Sequence, residues 1–323
     1  RAVPVGLSPR HLHLQGIRVM LRPYGETRES LEDNIPAWLS SSARARYRIH
    51  TLTLGHEFQD SFLESISSAC PALRSLNFGD CFDGGYALCH RVGDRLLDQL
   101  EIRCPANFPD DPLPLKIRAH AIAIWVNCYD LDSKTLVSIF QASRMTLRHL
   151  QIFGLYSGTI ADNLIHTLKV EPFQSVCRLD ISTSKAFETW SRIVQALTSL
   201  GILKISLRSS CTFRDQQKSL VAMGACVTST LHTLSYGFPP SLFHPALVKI
   251  THLLTLPNFV GIRHLEVPTL GKDDFETDAG LALLDECEKR STSLLCRYGY
   301  LKQLDLTSLA WILTCSTPSA RGR

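Results

Sequence analysis

The stretch Leu147-Arg148-His149-Leu150-Gln151-Ile152 contains the pattern that decides the fold. Apolar residues stand at its first, fourth and sixth positions, and a polar residue directly follows the fourth. This six-residue motif, apolar-x-x-Leu-x-apolar, occurs ten times at intervals of 22 to 39 residues, which indicates a protein built from repeats. The ten apolar triplets are Ile49, Leu52, Leu54; Leu73, Leu76, Phe78; Leu97, Leu100, Ile102; Ala119, Ile122, Ile124; Leu147, Leu150, Ile152; Val176, Leu179, Ile181; Leu200, Leu203, Ile205; Leu231, Leu234, Tyr236; Ile262, Leu265, Val267; and Leu301, Leu304, Leu306.

The motif predicts a short strand with one buried face. Its middle position is Leu in nine of ten copies, and the next residue is polar in nine of ten, which is the period-two alternation of a half-buried strand. Apolar residues at helical spacing precede several copies. These segments are 61–69, 135–142, 190–198, 219–226 and 281–289.

A chain that alternates strand and helix in this way predicts an α/β fold with a parallel sheet and right-handed crossovers. Parallel strands lie about 4.8 Å apart, whereas packed helices need about 10 Å. We therefore expect a solenoid curved into a horseshoe, with the strands on the concave face and the helices on the convex face.

These motifs resemble the leucine-rich repeats, whose pattern L-x-x-L-x-L-x-x-N/C they share over roughly residues 49 to 310. The segment Cys70-Pro-Ala-Leu73-Arg-Ser-Leu76-Asn-Phe78-Gly-Asp-Cys81 is similar to the cysteine-containing subclass, which is typical of the substrate-binding halves of F-box proteins. The phrases LRSLNFGDC and LRHLQIFGL are similar to the F-box repertoires of mushroom-forming fungi. The resemblance implies the substrate-recognition part of an F-box subunit of an SCF-type ubiquitin ligase. A Skp-type adaptor and a cullin would then bind only through an F-box, which is not visible in this chain.

Composition narrows the class of protein. The chain has 323 residues, of which 45% are hydrophobic, enough for a large core, and no run of about 18 apolar residues that would predict a membrane span. A formal net charge of +4 does not predict a nucleic-acid partner. The 11 cysteines are scattered and include no Cys-x-x-Cys, so we expect free thiols in a reducing compartment, the cytoplasm or the nucleus. No signal peptide is visible ahead of the repeats, and we expect a fragment of a longer protein.

We predict three regions along the chain. Residues 1–48 are expected to form N-terminal capping strands and a helix, residues 49–313 a solenoid of about ten irregular repeats, and residues 314–323 a disordered tail. Two segments predict protruding loops between repeats, the proline-rich Cys104 to Pro114 and the acidic Pro268 to Gly280.

The sequence shows no motif for catalysis, a cofactor or a metal. It contains no phosphate-binding glycine loop and no nucleophile elbow. His11 and His13 would share one side of a strand, but no third metal ligand follows at a suitable spacing. Adjacent Cys89 and His90 would point to opposite faces of a strand, which does not suit a thiolate and its base. We therefore expect no enzyme, no cofactor and no metal site.

The remaining prediction is that the chain binds a protein partner through the surface of its concave sheet. The residues between the buried leucines would line this sheet, and they are varied in charge and size. Trp125 stands out, since Trp is enriched in binding hot spots; it is either such an anchor or an aromatic covered by the neighbouring proline-rich loop. The alternatives to the F-box role are a free-standing repeat scaffold and a cryptic enzyme or nucleic-acid binder. The predicted protein-binding residues are Asn77, Glu101, Arg103, Trp125, His149, Gln151, Arg178, Asp180, Lys204, Arg208, His264 and Glu266.

Overall fold

The computed structural model describes the parts of the chain that carry most of the repeat motifs. The described residues are 11–13, 49–54, 70–78, 94–103, 117–125, 140–155, 165–166, 168–169, 173–183, 187–207, 212–225, 230–238, 243–270, 273–296 and 299–301. The chain divides into two compact units, the first made of 1–179 with 196–198 and the second of 180–195 with 199–323.

In the first unit, parallel strands follow one another in chain order. They are β1 (His11–His13), β2 (Thr51–Leu54), β3 (Ser75–Phe78), β4 (Leu96–Arg103), β5 (Arg118–Trp125) and β6 (His149–Leu155). Each strand pairs in parallel with the next. The strand β7 (Arg178–Thr183) follows. The boundary between the two units, after Leu179, falls within this strand.

The repeat motif sets the register of these pairs. Leu52 is paired with Leu76, Leu76 with Leu100, Leu100 with Ile122, and Ile122 with Leu150. All five middle residues are at most 1% exposed, because the alternation places every one of them on the covered face of the sheet. The predicted parallel strands and their buried middle residues are confirmed here.

The second unit alternates strands with complete helices. Its strands are β8 (Ile202–Leu207), β9 (Thr233–Gly237), β10 (His264–Glu266), β11 (Ser293–Cys296) and β12 (Gly299–Leu301). The helices along this part of the chain are α1 (Phe187–Ala196), α2 (Phe213–Gly224), α3 (Phe243–Thr255) and α4 (Asp278–Lys289), with 3₁₀ turns at Pro257–Phe259 and Asp273–Glu276. Strands β8 to β11 are parallel, and Leu203, Leu234, Leu265 and Leu294 share one register position.

Hydroxyl side chains tie the turns before the strands to the preceding repeat. Thr146 donates to the Ala119 carbonyl at 3.1 Å, Ser175 to that of Leu147 at 2.9 Å, and Thr230 to that of Leu200 at 2.8 Å. Each donor stands directly before the first apolar residue of its motif, and each acceptor is the first apolar residue of the motif before it. Each bond satisfies a carbonyl at or just before the start of a strand.

The last repeat differs from the prediction. The strand that follows β10 in parallel register is β11, so the prediction that Leu304 takes this place is wrong. The motif was missed because its first position is Ser291, a polar residue with φ of 54°. Leu301 belongs to β12, which is antiparallel to β11, and Leu304 lies outside the described residues.

The acidic segment Pro268 to Gly280 is not a protruding loop where the structure describes it. Leu270 is fully buried. Phe275 is only 7% exposed and belongs to the 3₁₀ turn that leads into α4. Thr277 caps α4 by accepting a hydrogen bond from the Gly280 amide at 3.1 Å, a typical role for Thr before a helix. Asp273, Glu276 and Asp278 are exposed, and Asp274 is partly exposed, at the surface of this packed segment.

Other expectations fall outside the described residues. The proline-rich segment Cys104 to Pro114, the Cys89-His90 pair and the tail 314–323 are among them. Strand β1 lies within the segment predicted as an N-terminal cap, and the three-region division stays a prediction.

Candidate functional site

The buried leucines of the first unit point to one face of its sheet. The opposite face carries the residues that alternate with them. Residues directly before and after each middle residue, and the residue three positions after it, point to this face. Parallel pairing places Asn77 beside Glu101, Glu101 beside Ala123, and Ala123 beside Gln151. We call this surface the first-unit sheet face.

A carboxylate joins three neighbouring strands on the first-unit sheet face. The Asn77 amide donates to Glu101 Oε2 at 2.8 Å, and the Trp125 indole N–H donates to Glu101 Oε1 at 2.8 Å. Both distances are those of charge-assisted hydrogen bonds, which are about twice as strong as neutral ones. Glu101 thereby fixes the position of the indole.

Trp125 also stacks on the next strand. Its ring lies 4.4 Å from that of Phe153, with 23° between the two planes. The two residues are register partners on β5 and β6. Both rings are partly exposed, so the pair offers aromatic surface to solvent while its position is fixed on two sides. We call Asn77, Glu101, Trp125 and Phe153 the Trp125 cluster.

The direction of the Trp125 indole follows from its hydrogen bond to the neighbouring strand β4. Ala123 is the register partner of Glu101 and is only 1% exposed, although it belongs to the first-unit sheet face. The indole N–H of Trp125 reaches Glu101, which is the register partner of Ala123 and not of Trp125 itself. The indole is therefore directed back along β5, towards the position of Ala123.

The other predicted residues of the first unit lie on the same sheet. His149, Gln151 and Arg178 are partly exposed on β6 and β7. Arg103 is the last residue of β4 and the register partner of Trp125. Its side chain is not among those that the structure describes. Of the predicted residues in this unit, hydrogen bonds join Asn77, Glu101 and Trp125.

The predicted residues of the second unit differ in their exposure. Asp180 is only 8% exposed, Lys204 and Glu266 are partly exposed, and Arg208 lies outside the description. His264 is exposed, and its Nδ1 lies 2.6 Å from the Ser293 hydroxyl, which also lies 3.2 Å from the Arg263 carbonyl.

Two residues at these sites were missed from the sequence. Phe153 stands three positions after the middle residue Leu150, just as Trp125 stands three after Ile122, so aligning the repeats would have identified it. Ser293 was missed because the last repeat was assigned to Leu304.

Metal-ligand groups and thiols are considered next for the described residues. They contain no group of three or more His, Cys, Asp or Glu side chains that could hold a metal. Cys70, Cys177, Cys287 and Cys296 are free thiols. Burial raises the pKa of Cys70 to about 11 against a smaller opposing effect of Arg95. Burial, with Glu286 adding to it, raises that of Cys287 to about 12. Thiols with such pKa values are weak nucleophiles at neutral pH.

Within the described ranges, no helix has both the length and the apolar character needed to cross a bilayer.

Comparison with known proteins identifies the fold. No protein-family model matches the sequence, and no curated protein matches it. Among solved structures, the crystal structure of the leucine-rich repeat-containing protein LegL7 from Legionella pneumophila is similar, with a TM-score of 0.53 and 14% sequence identity. The match covers 87% of this chain and 95% of the LegL7 chain. With the parallel strands and the repeat register described above, this likeness shows that the chain has the predicted α/β leucine-rich-repeat fold.

Proposed function

We propose that this chain binds a protein partner through the first-unit sheet face, with the Trp125 cluster as the anchor. The observation that carries the proposal is a stacked, partly exposed aromatic pair whose indole is held by a carboxylate. Tryptophan dominates many binding hot spots. A side chain already held in one position loses less conformational entropy on binding, so more of its contact energy contributes to affinity.

The wider role that we propose is substrate recognition by an F-box subunit of an SCF-type ubiquitin ligase in the cytoplasm or nucleus. The support is the resemblance of Cys70–Cys81 and of the repeat motifs to F-box proteins. The free state of the four described cysteines fits a reducing compartment. In this role the chain holds a target near a ubiquitin-carrying enzyme and raises its effective concentration. A Skp-type adaptor and a cullin would bind the F-box, not the repeats.

The binding proposal is tested by capture with matched variants. The chain and a Trp125→Ala/Phe153→Ala variant are used to capture partners from the native cell, and each candidate is then rebuilt from purified components. A partner that binds the parent at least tenfold more tightly than the variant supports the proposal. Val221→Ala/Val248→Ala is the control, because these exposed side chains lie on helices α2 and α3. Partners that bind all three proteins equally would exclude the Trp125 cluster as the anchor.

The ubiquitin role needs a separate experiment with the full-length protein. Capture by the full-length protein should recover a Skp-type adaptor and a cullin, whereas residues 1–323 alone should recover neither. An adaptor recovered by residues 1–323 alone would overturn this division of roles. Full-length protein that recovers no adaptor would leave a repeat scaffold unrelated to ubiquitin.

A further inference from the structure

Three exposed arginines stand at the start of strands in the first unit. Arg74 and Arg148 directly precede β3 and β6, and Arg118 is the first residue of β5. Arg95 directly precedes β4, but it is only partly exposed and donates to the Cys70 carbonyl at 2.9 Å. Parallel strands begin at the same edge of a sheet, and neighbouring strands lie about 4.8 Å apart. The exposed side chains therefore lie along one edge, and we call Arg74, Arg118 and Arg148 the arginine row.

The printed contacts of the arginine row do not neutralise its charge. Arg118 Nη2 donates to the Asp94 carbonyl at 3.0 Å, a neutral acceptor that uses one of the five N–H groups of a guanidinium. Arg74 Nη1 lies 3.9 Å from the Asp98 carboxylate, and the two side chains are 67% and 60% exposed. Ion pairs at such exposure contribute little, because water and salt screen them. Carboxylates of a partner can therefore bind along the row.

The fold does not require an arginine at the start of a strand. The residues directly before β8, β9 and β11 of the second unit are Gly201, His232 and Thr292. These strands keep the same parallel register with a glycine, a histidine or a threonine in that place. The arginines are thus a property of the first-unit surface and not of the repeat itself.

Exposed apolar side chains accompany the arginine row. Leu96 is the register partner of Arg118 and is 42% exposed. Met145 stands three residues before Arg148 and is 81% exposed. Arginine and methionine are both enriched in protein–protein interfaces, whereas a nucleic-acid backbone is bound mainly through charge. The mixture of guanidinium and apolar groups therefore favours a protein partner.

We propose that the arginine row binds an acidic segment of a protein. The planar fork of a guanidinium matches a carboxylate, with which it forms charge-assisted hydrogen bonds. Leu96 and Met145 would contact apolar residues beside the carboxylates. This inference goes beyond the proposed function, because it concerns a second surface. Arg118 and Trp125 are the first and last residues of β5, and seven residues of strand span about 23 Å.

The test is a selection of short random peptides, displayed as a library, against the immobilised chain. Peptides that also bind Arg74→Gln/Arg118→Gln/Arg148→Gln are removed, so the pool that remains depends on the arginine row. We expect aspartate or glutamate at two or more positions of the selected peptides. The best peptide should bind the parent about tenfold more tightly than this variant, since each of three exposed ion pairs contributes about twofold.

A matched variant controls for net charge. Arg214→Gln/Lys218→Gln/Lys249→Gln also removes three exposed positive charges, from helices α2 and α3. It should bind the best peptide as tightly as the parent does, and thermal melting of every variant checks that the fold is intact. Equal losses in the two variants would show that only the net charge matters and would overturn the proposal.

A salt series tests the chemistry of the contact. Binding should weaken when the salt concentration rises from about 0.1 M to about 1 M, because the Debye length falls from about 10 Å to about 3 Å. Affinity that does not change with salt would overturn an ionic contact. Oligothymidylate that binds the parent more tightly than the best peptide, and loses its binding in the arginine-row variant, would assign the row to nucleic acid instead.

The outcomes distinguish this inference from the proposed function. The selected peptides should bind Trp125→Ala/Phe153→Ala as tightly as the parent. An equal loss in that variant would place the peptides on the first-unit sheet face and overturn the separate site. A pool without acidic residues, or one that contains no peptide dependent on the arginine row, would also overturn it and would leave protein binding by the first-unit sheet face intact.

Discussion

Gly280 lies in close contact with the backbone of a neighbouring turn, and replacing it by alanine should destabilise the protein. An added Cβ would overlap the Asp274 carbonyl oxygen and lie 2.8 Å from its carbon and 3.0 Å from Phe275 Cα. These atoms belong to the backbone of the 3₁₀ turn Asp273–Glu276, so no side chain can rotate to make room.

The magnitude follows from two opposing effects. Alanine in a helix is normally more stable than glycine by about 0.5–1 kcal/mol. Here the turn must move by about 1 Å to restore van der Waals distances, and overpacking of this kind costs about 1–3 kcal/mol. The movement also disturbs the 2.7 Å hydrogen bond from the Thr277 hydroxyl to the Asp274 carbonyl, at a cost of about 1 kcal/mol. The net expected loss is about 2 kcal/mol.

Gly224 provides the matched control. An added Cβ there would lie 3.2 Å from Leu253 Cδ2 and 3.5 Å from Leu256 Cδ1, which are the ends of flexible side chains. Gly224→Ala should therefore change the free energy of unfolding by less than about 0.5 kcal/mol. Both variants are compared with the parent by urea denaturation followed by circular dichroism. A Gly280→Ala protein as stable as Gly224→Ala would refute the close approach of the turn and α4.

Three further predictions concern the repeats and the thiols. Leu150→Ala, at a fully buried middle position, should lower the free energy of unfolding by about 2–5 kcal/mol, and denaturation within 1 kcal/mol of the parent would contradict the register. Thr230→Val should cost about 1 kcal/mol through loss of the bond to the Leu200 carbonyl, whereas Thr230→Ser should restore most of it in the same assay. At pH 8, alkylation followed by peptide mass spectrometry should label exposed Cys177 first. Cys70 and Cys287 should stay protected, because burial raises their pKa values to about 11 and about 12, so rapid labelling of either would contradict the packing.

The sequence alone predicts the fold class because each repeat contains the same short motif of apolar and polar positions. Alternation around Leu52, Leu76 and Leu100 specifies which face of each strand is buried, and equal positions in successive motifs specify the register. The pattern failed where one residue departed from it: Ser291 is polar at an apolar position, so β11 was overlooked. The acidic residues near Asp274 predicted a loop, whereas the buried ring of Phe275 holds a packed turn.

The candidate site shows the division between local and tertiary information. The sequence identified Asn77, Glu101 and Trp125 as outward-facing residues of three successive repeats, since that property depends only on alternation. It did not show that Glu101 accepts hydrogen bonds from both neighbours, or that Phe153 stacks on the indole. Those contacts depend on side-chain rotamers and on strands 24 to 28 residues apart in sequence. Only the assembled sheet brings these strands to hydrogen-bonding distance, and it is this tertiary pairing that converts a row of polar positions into an ordered cluster.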